Sequence, residues 1–196
     1  MILVAVSLLG LLTVPLAGGR LSQLAQLQLQ QVWAVWASIT IQLRITAAGP
    51  QVPVTVAHAL HLLSYALAAW CLWSNRLLPG VWLVAAGGAS NLVAIAANGG
   101  SMPATAWAWR TSGLAAATAG QFENSAVAHG SRLWFLGDVL AVPQRWPFAN
   151  VFSVGDVIIV IGLLVLAHRS CRRDLEVEAM ARSATCVVCT PTQSSM

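Results

Sequence analysis

The 196-residue chain contains no lysine; all ten of its basic residues are arginine. A lysine ammonium shifts its pKa readily on burial and serves as Schiff-base or general-base nitrogen, so that chemistry is excluded. Acidic residues are scarce too, six in all, and charged residues make up 8% of the chain. An ordinary soluble domain carries about 25%. So few charges cannot cover a globular surface in water, and 58% of the residues are hydrophobic. The solvent for much of the chain is therefore lipid. No Asn-x-Ser/Thr sequon, HExxH motif or phosphate-binding glycine loop is present. No basic stripe with interleaved aromatics appears, so the net charge of +4 does not point to nucleic acid. The Cys186-x-x-Cys189 pair has no second pair to complete a metal site, and no metal or cofactor is expected.

What is present is apolar length. Spanning a bilayer takes about 20 apolar residues, with a range of roughly 17–25. Five segments meet this, at about 1–19, 32–48, 54–73, 79–97 and 151–168. The expected fold is all-α, an integral membrane bundle of about five helices. Pro15-Leu16-Ala17-Gly18-Gly19 offers small residues of the kind found at cleavage sites. No positive charge precedes the apolar core, so the first segment reads as a span.

The connections divide the rest. Residues 99–150 are too long for a structureless loop and read as an external cap, with 104–120 as a short interfacial helix bearing Trp107 and Trp109. Pro143 and Pro147 break its later half into turns. RLSQLAQLQLQQ (20–31) reads either as an amphipathic helix on the inner leaflet or as an extension of a neighbouring span. Residues 169–196 read as a basic, disordered tail. The densest basic patch, Arg169 to Arg173, belongs in the cytoplasm by the positive-inside rule. Counting back places Arg76 and Arg20 inside, the cap outside and the N-terminus outside. Trp33, Trp36, Trp70, Trp73 and Trp82 then fall near the inner boundary.

Several short motifs line up along this frame: Gly18-Gly19-Arg20-Leu21, His61-Leu62-Leu63-Ser64-Tyr65 with Asn75-Arg76, Asn98-Gly99-Gly100-Ser101-Met102-Pro103, Phe135-Leu136-Gly137-Asp138-Val139 and Asn150-Val151-Phe152-Ser153-Val154-Gly155-Asp156. In these the chain resembles a family of uncharacterised bacterial multi-pass membrane proteins, a domain of unknown function, over about residues 1–168. The resemblance implies a helical multi-pass fold in the bacterial plasma membrane and implies no activity. Similar members often carry basic residues where this chain has Gln23–Gln31, which argues against a lipid-phosphate role for that segment.

Polar groups inside spans are costly and are functional candidates by default. In the proposed topology Arg44, His58, His61, Asn98, Asp138 and Asp156 all gather towards the outer face, with Asn91 deeper. His58 and His61 share a helix face and offer a metal-ligand pair with an Asp, a proton or solute path, or plain polar packing. Ser153-x-x-Asp156 is a capping-box-like helix start, with Asp where Glu is usual. Gly99 and Gly100 suit a left-handed helix stop, either as a plain turn or as a nest of free N–H groups for an anion. The glycines at 87 and 88 and the alanine-rich faces suit close helix packing within one chain or between two.

Two classes of function stay open. One is a non-enzymatic membrane protein, either an assembly subunit or a binder of lipid or a small solute at the outward-facing polar cluster. Its partners would be membrane lipids, a second copy of the chain or another membrane protein. The other is a membrane-embedded enzyme acting on an envelope lipid or exported substrate through His/Asp acid–base or metal chemistry. One pairing is testable at once. An unpaired Arg in lipid is costly, so Arg44 is expected to pair with Asp156, and Arg44→Ala and Asp156→Ala should then be non-additive in stability.

Overall fold

A computed structural model describes residues 2–48, 52–113, 125–127 and 130–188. It is mostly helical. Helices α1 (Ile2–Leu11) and α2 (Thr13–Leu16) make up the first segment and are followed by a 3-10 turn over Leu21–Gln26. The long elements are α3 (Val32–Ala48), α4 (Val54–Ser74), α5 (Val81–Ala97) and α7 (Val154–Val188). Between α5 and α7 lie β1 (Met102–Ala104), α6 (Ala106–Ser112), β2 (Ser125–Val127), a 3-10 turn (Trp134–Leu136), β3 (Leu140–Val142) and β4 (Asn150–Phe152).

Two helical stretches, Val54–Ser74 and Val154–Arg172, are long and apolar enough to cross a membrane; Ala5–Leu16, Val32–Ala48 and Val81–Ala97 are apolar but shorter. The first segment is broken because Thr13 turns its hydroxyl back to the Gly10 carbonyl (2.6 Å) and Pro15 supplies no amide donor. Helix α7 does not stop near His168. It runs on to Val188, so the stretch after Arg169, expected to be disordered, is helical that far. Of the Cys186/Cys189 pair, Cys189 lies outside the described residues.

The packing is organised by glycine. On α5 and the turn before it, Gly80 and Gly87 are seven residues apart; on α7, Gly155 and Gly162 are too. A seven-residue repeat keeps one seam facing its partner in a left-handed crossing. The helices are antiparallel: a Cβ on Gly87 would strike the Gly155 carbonyl and Ile159, and one on Gly80 would strike the Gly162 carbonyl. Backbones this close gain dispersion contacts that need no water to drive them. Gly88, on the other side of α5, has open space around it.

Elsewhere α3 packs on α4 through Ile45 and Ala57. The first segment packs on α7 through Val14, Ala167 and Cys171, with Leu24 of the 3-10 turn closing over them. Residues 20–31 are thus neither an amphipathic α-helix nor a span extension. Gln23 is buried and Leu21 exposed, the reverse of the amphipathic expectation, because the short 3-10 turn has a different periodicity.

The cap is not purely helical. β1 pairs with β2 in parallel and β3 with β4 antiparallel, each over three residues. The residue before Pro103 is driven to extended backbone, which is how β1 begins. The expected cap helix does form, but ends at Ser112 because Gly113 takes a left-handed φ of 67°; residues 114–120 of that expected helix lie outside the described residues. Thr105 caps its start, accepting from the Ala108 amide at 3.2 Å.

This packing makes a contrast between adjacent glycines. Gly87→Leu should cost about 1–3 kcal/mol, the usual range for overpacking, and lower the melting temperature in detergent. Gly88→Leu should stay within about 0.5 kcal/mol of wild type. Thermal unfolding of the two variants side by side checks the seam.

Candidate functional site

At the cap end of the bundle, α7 starts with a complete reciprocal box. The Asp156 amide donates to Ser153 Oγ at 3.0 Å, and the Ser153 amide donates to Asp156 Oδ2 at 3.0 Å. Two orphan amides are satisfied, and the carboxylate sits in the first turn, where the helix dipole favours it. The glycine seam then brings α5 alongside. Asn91 Nδ2 donates to Asp156 Oδ1 at 2.8 Å, and Ser153 Oγ donates to Asn91 Oδ1 at 2.8 Å. A Cβ on Gly155 would strike Asn91 Oδ1, so the glycine at 155 makes room for this amide. Asn91 and Ser153 are both buried.

The expected Arg44–Asp156 pair does not form. Asp156 is held by Asn91 and Ser153, and Arg44 is exposed on α3, which packs on α4. The physical reason is the seam, which commits the start of α7 to α5.

Asn98, at the C-cap of α5, has a different task. Its Oδ1 accepts from the Arg132 amide at 2.9 Å, while its Nδ2 donates to the Arg132 carbonyl and the Ala94 carbonyl, each at 2.7 Å. One side-chain amide thus pairs with the backbone of a cap residue as a strand would. The glycine turn that follows is left-handed as expected, with φ of 71° at Gly99 and 100° at Gly100. The Gly100 amide is not free for an anion, because it donates to the Ile95 carbonyl at 2.9 Å. Gly100 instead lies against the ring of His58, where any side chain would clash.

His61 is buried and packs on Tyr65, with ring centroids 5.5 Å apart. Tyr65 in turn packs against Ala94, Ile95 and Met102, and lies within electrostatic reach of both Asp156 and Asp138. Asp138 is buried, and its backbone is stitched to β1. Its amide donates to the Pro103 carbonyl at 2.8 Å, and its carbonyl accepts from the Thr105 amide at 3.1 Å. On the α3 side, Gln42 donates to Ser64 Oγ and Ser64 to the His61 carbonyl, each at 2.6 Å. The structure therefore brings His58, His61, Asn98, Asp138 and Asp156 to one end of the bundle and leaves Arg44, beside Ile45 on α3, exposed and unbonded to Asp156. Among the described residues, no three His, Cys, Asp or Glu side chains come together as a metal site. Asn91 and Ser153 tie the layer together. Their signal in sequence was polarity on an apolar helix face and the S-x-x-D start.

At the tryptophan end, Asn75 repeats the Asn98 arrangement. It caps α4, accepts from the Gln30 amide at 2.9 Å, and donates to the Gln30 and Cys71 carbonyls at 2.8 Å each. Trp33 meets Trp70 edge-on, and Trp73 meets Trp82 edge-on, with centroids 5.3 and 6.3 Å apart.

Between α4 and α5 lies a groove of about 250 Å³. It runs from Tyr65 past Ala68, Ala69, Ala85, Gly88 and Ala89 to Trp73, Trp82 and Arg76. The small residues on both helices create the space. No residue of this groove was among the candidates read from sequence, because a stripe of alanines gives no chemical signal until a facing helix leaves it uncovered.

The fold and its bonded layer define a mostly helical protein whose cap is anchored by helix-terminal amides. The chain belongs to DUF5317, a family of unknown function, whose family model matches residues 26–168. The matched region takes in α3 to α6 and the apolar part of α7, while α1 and α2 precede it. Neither a curated protein nor a solved structure matches the chain.

Two outcomes follow for the bonded layer. Asn91→Ala and Asp156→Ala should be non-additive by at least about 1 kcal/mol, and Arg44→Ala with Asp156→Ala additive within about 0.5 kcal/mol. Asn98→Ala should loosen the cap before the bundle, read as faster proteolysis near Arg132 at an almost unchanged melting temperature.

Proposed function

We propose that the protein is a five-span, non-enzymatic integral membrane protein that holds an apolar ligand, a lipid chain or a small apolar solute, in the groove between α4 and α5. The observation that carries this reading is the groove's lining, which is alanine, glycine, leucine, valine and tryptophan apart from Tyr65 and Arg76 at its two ends. Ligand pockets are mostly apolar with few polar groups, and this one opens on the side of the bundle.

Membrane location is supported by where the apolar surface lies. Only 22% of the apolar window of α4 and 28% of that of α7 is buried, so neither behaves as the core helix of a soluble fold. Trp36, Leu43, Leu63, Trp73, Leu77 and Trp82 are each about half exposed or more. Helices α3 and α5, at 17 residues, sit at the short end of the spanning range. The tryptophans of α3, α4 and α5 share one end, as an interfacial belt would. The proposed orientation puts that end and Arg169–Arg173 in the cytoplasm of a bacterial plasma membrane, with the cap and N-terminus outside. The outer polar layer is assigned to holding the cap on the bundle, because Asn98 of α5 clamps both backbone groups of Arg132 in the cap.

Topology reporters check the spans: a phosphatase fused within the cap should be active, and one fused after Arg173 inactive. A lipid with a photoreactive group in its acyl chain checks the groove. Cross-links should concentrate on residues 65–76 and 81–92 and fall away in Gly88→Leu. Even labelling of all five helices would overturn the reading.

A further inference from the structure

The groove has a charge at one end only. Arg76 lines the tryptophan end, with its Cζ 5.0 Å above the Trp73 ring and Nη1 donating to the Trp73 carbonyl at 3.0 Å. It is exposed, and among the described residues no acidic side chain pairs with it. Trp73, on α4, and Trp82, on α5, line this end and meet edge to face with centroids 6.3 Å apart. The arginine is therefore positioned by the last turn of α4 and by an aromatic face, which costs it only one of its five N–H donors. A guanidinium held this way keeps donors for an anionic oxygen pair.

The length is informative. On α4 the groove reaches from Tyr65 to the helix end at Ser74, nine positions on, with Arg76 in the turn just beyond. At 1.5 Å per residue that is about 14 Å. Half of a hydrocarbon core of about 30 Å is about 15 Å. The groove is thus about one leaflet long, with the cation and the indoles at its tryptophan end and the tyrosine at its inner end, packed on Ala94, Ile95 and Met102 beneath the cap. A headgroup anion at Arg76 and an acyl chain along Ala69, Ala85, Gly88 and Ala89 fit the two parts at once. A free phosphate would use only the first part, and a zwitterionic lipid would bring its phosphate to Arg76 with a quaternary ammonium that offsets the charge.

We infer that the α4–α5 groove is a site for one anionic phospholipid of the leaflet at the tryptophan end, its phosphate on Arg76 and one acyl chain against the Gly88 face. The inference rests on the groove reading above and adds the headgroup class. The glycine seam explains why the site exists. It draws α5 onto α7 through Gly80 and Gly87, and so leaves the small residues of the opposite face without a helix to cover them.

The test uses the full chain in mild detergent with equal amounts of phosphatidylglycerol and phosphatidylcholine of identical acyl chains, read by native mass spectrometry. Wild type should retain one lipid and favour phosphatidylglycerol about fivefold, the weight of one arginine near a headgroup. Arg76→Gln should still retain one lipid, with the preference falling to about onefold. Arg172→Gln, a basic residue outside the groove, should leave the preference intact. Gly88→Leu and, as a second filling variant, Ala89→Phe should lose both lipids while keeping the wild-type melting temperature. A retained lipid without headgroup preference, or a preference untouched by Arg76→Gln, would overturn the anionic site and leave the groove reading standing. Unchanged retention in folded Gly88→Leu and Ala89→Phe would overturn both. So would a dimer mass in place of lipid that disappears in those two variants, because a second chain would then be the occupant. Release of the lipid by millimolar inorganic phosphate alone would also overturn the acyl part of the proposal.

Discussion

Everything distinctive in this structure depends on two helices touching backbone to backbone. Gly80 and Gly87 meet Gly162 and Gly155 where no Cβ would fit. Helices that meet at small residues associate through close packing and through polar groups that have nowhere else to go. The seam supplies the first and positions the second. It sets Asn91 beside Asp156 and Ser153, and four hydrogen bonds then fix the start of α7. The same approach turns the Gly88 face outward and opens the groove.

The asparagines form a second layer of organisation. Asn75 and Asn98 stand at the C-caps of α4 and α5, at opposite ends of the bundle. Each spends its amide in the same way, on the carbonyl four residues back and on both backbone groups of a distant residue. A helix end buried in an apolar protein leaves carbonyls that water cannot reach, and these must be satisfied from within. An asparagine satisfies one and clamps a connecting segment in the same step. This is why the polar residues of the cap end read better as construction than as a reaction centre. His58 supports a glycine turn, Asp138 continues the pairing of β1, and Asn98 holds Arg132.

The bonded layer and the groove suit different roles. The layer is knitted by the hydrogen bonds of Asn91, Ser153, Asp156 and Asn98, while the groove is lined by small residues. A ligand site of the second kind needs little polar chemistry, only a shape and one charge at a defined depth. That division accounts for a protein that buries His61, Asn91, Asp138 and Ser153 near the cap while exposing many large apolar side chains.

Much of this was legible from residues alone. The apolar runs near 32–48, 54–73 and 79–97 became helices with nearly those ends, because hydrophobic length, a helix-capping Ser153 and the glycines at 99 and 100 are local signals. Asp156 was legible as a helix-start acid for the same reason. Its partner was not. Polarity and depth paired it with Arg44, but a seam of four glycines chose Asn91, and which helices lie side by side is not encoded in any one of them. The short strands of the cap escaped for a related reason, since three-residue pairings between distant segments leave no periodicity to read. The 3-10 turn at 21–26 put Gln23 inside because packing against α7 overrode a weak amphipathic pattern. Sequence by itself determined the helices and their caps, which follow from composition and neighbours within a few positions. Tertiary structure alone decided the partner of Asp156, the anchoring of the cap and the existence of the α4–α5 groove, because each depends on the distance between helices, and that distance is set where glycines from remote parts of the chain meet.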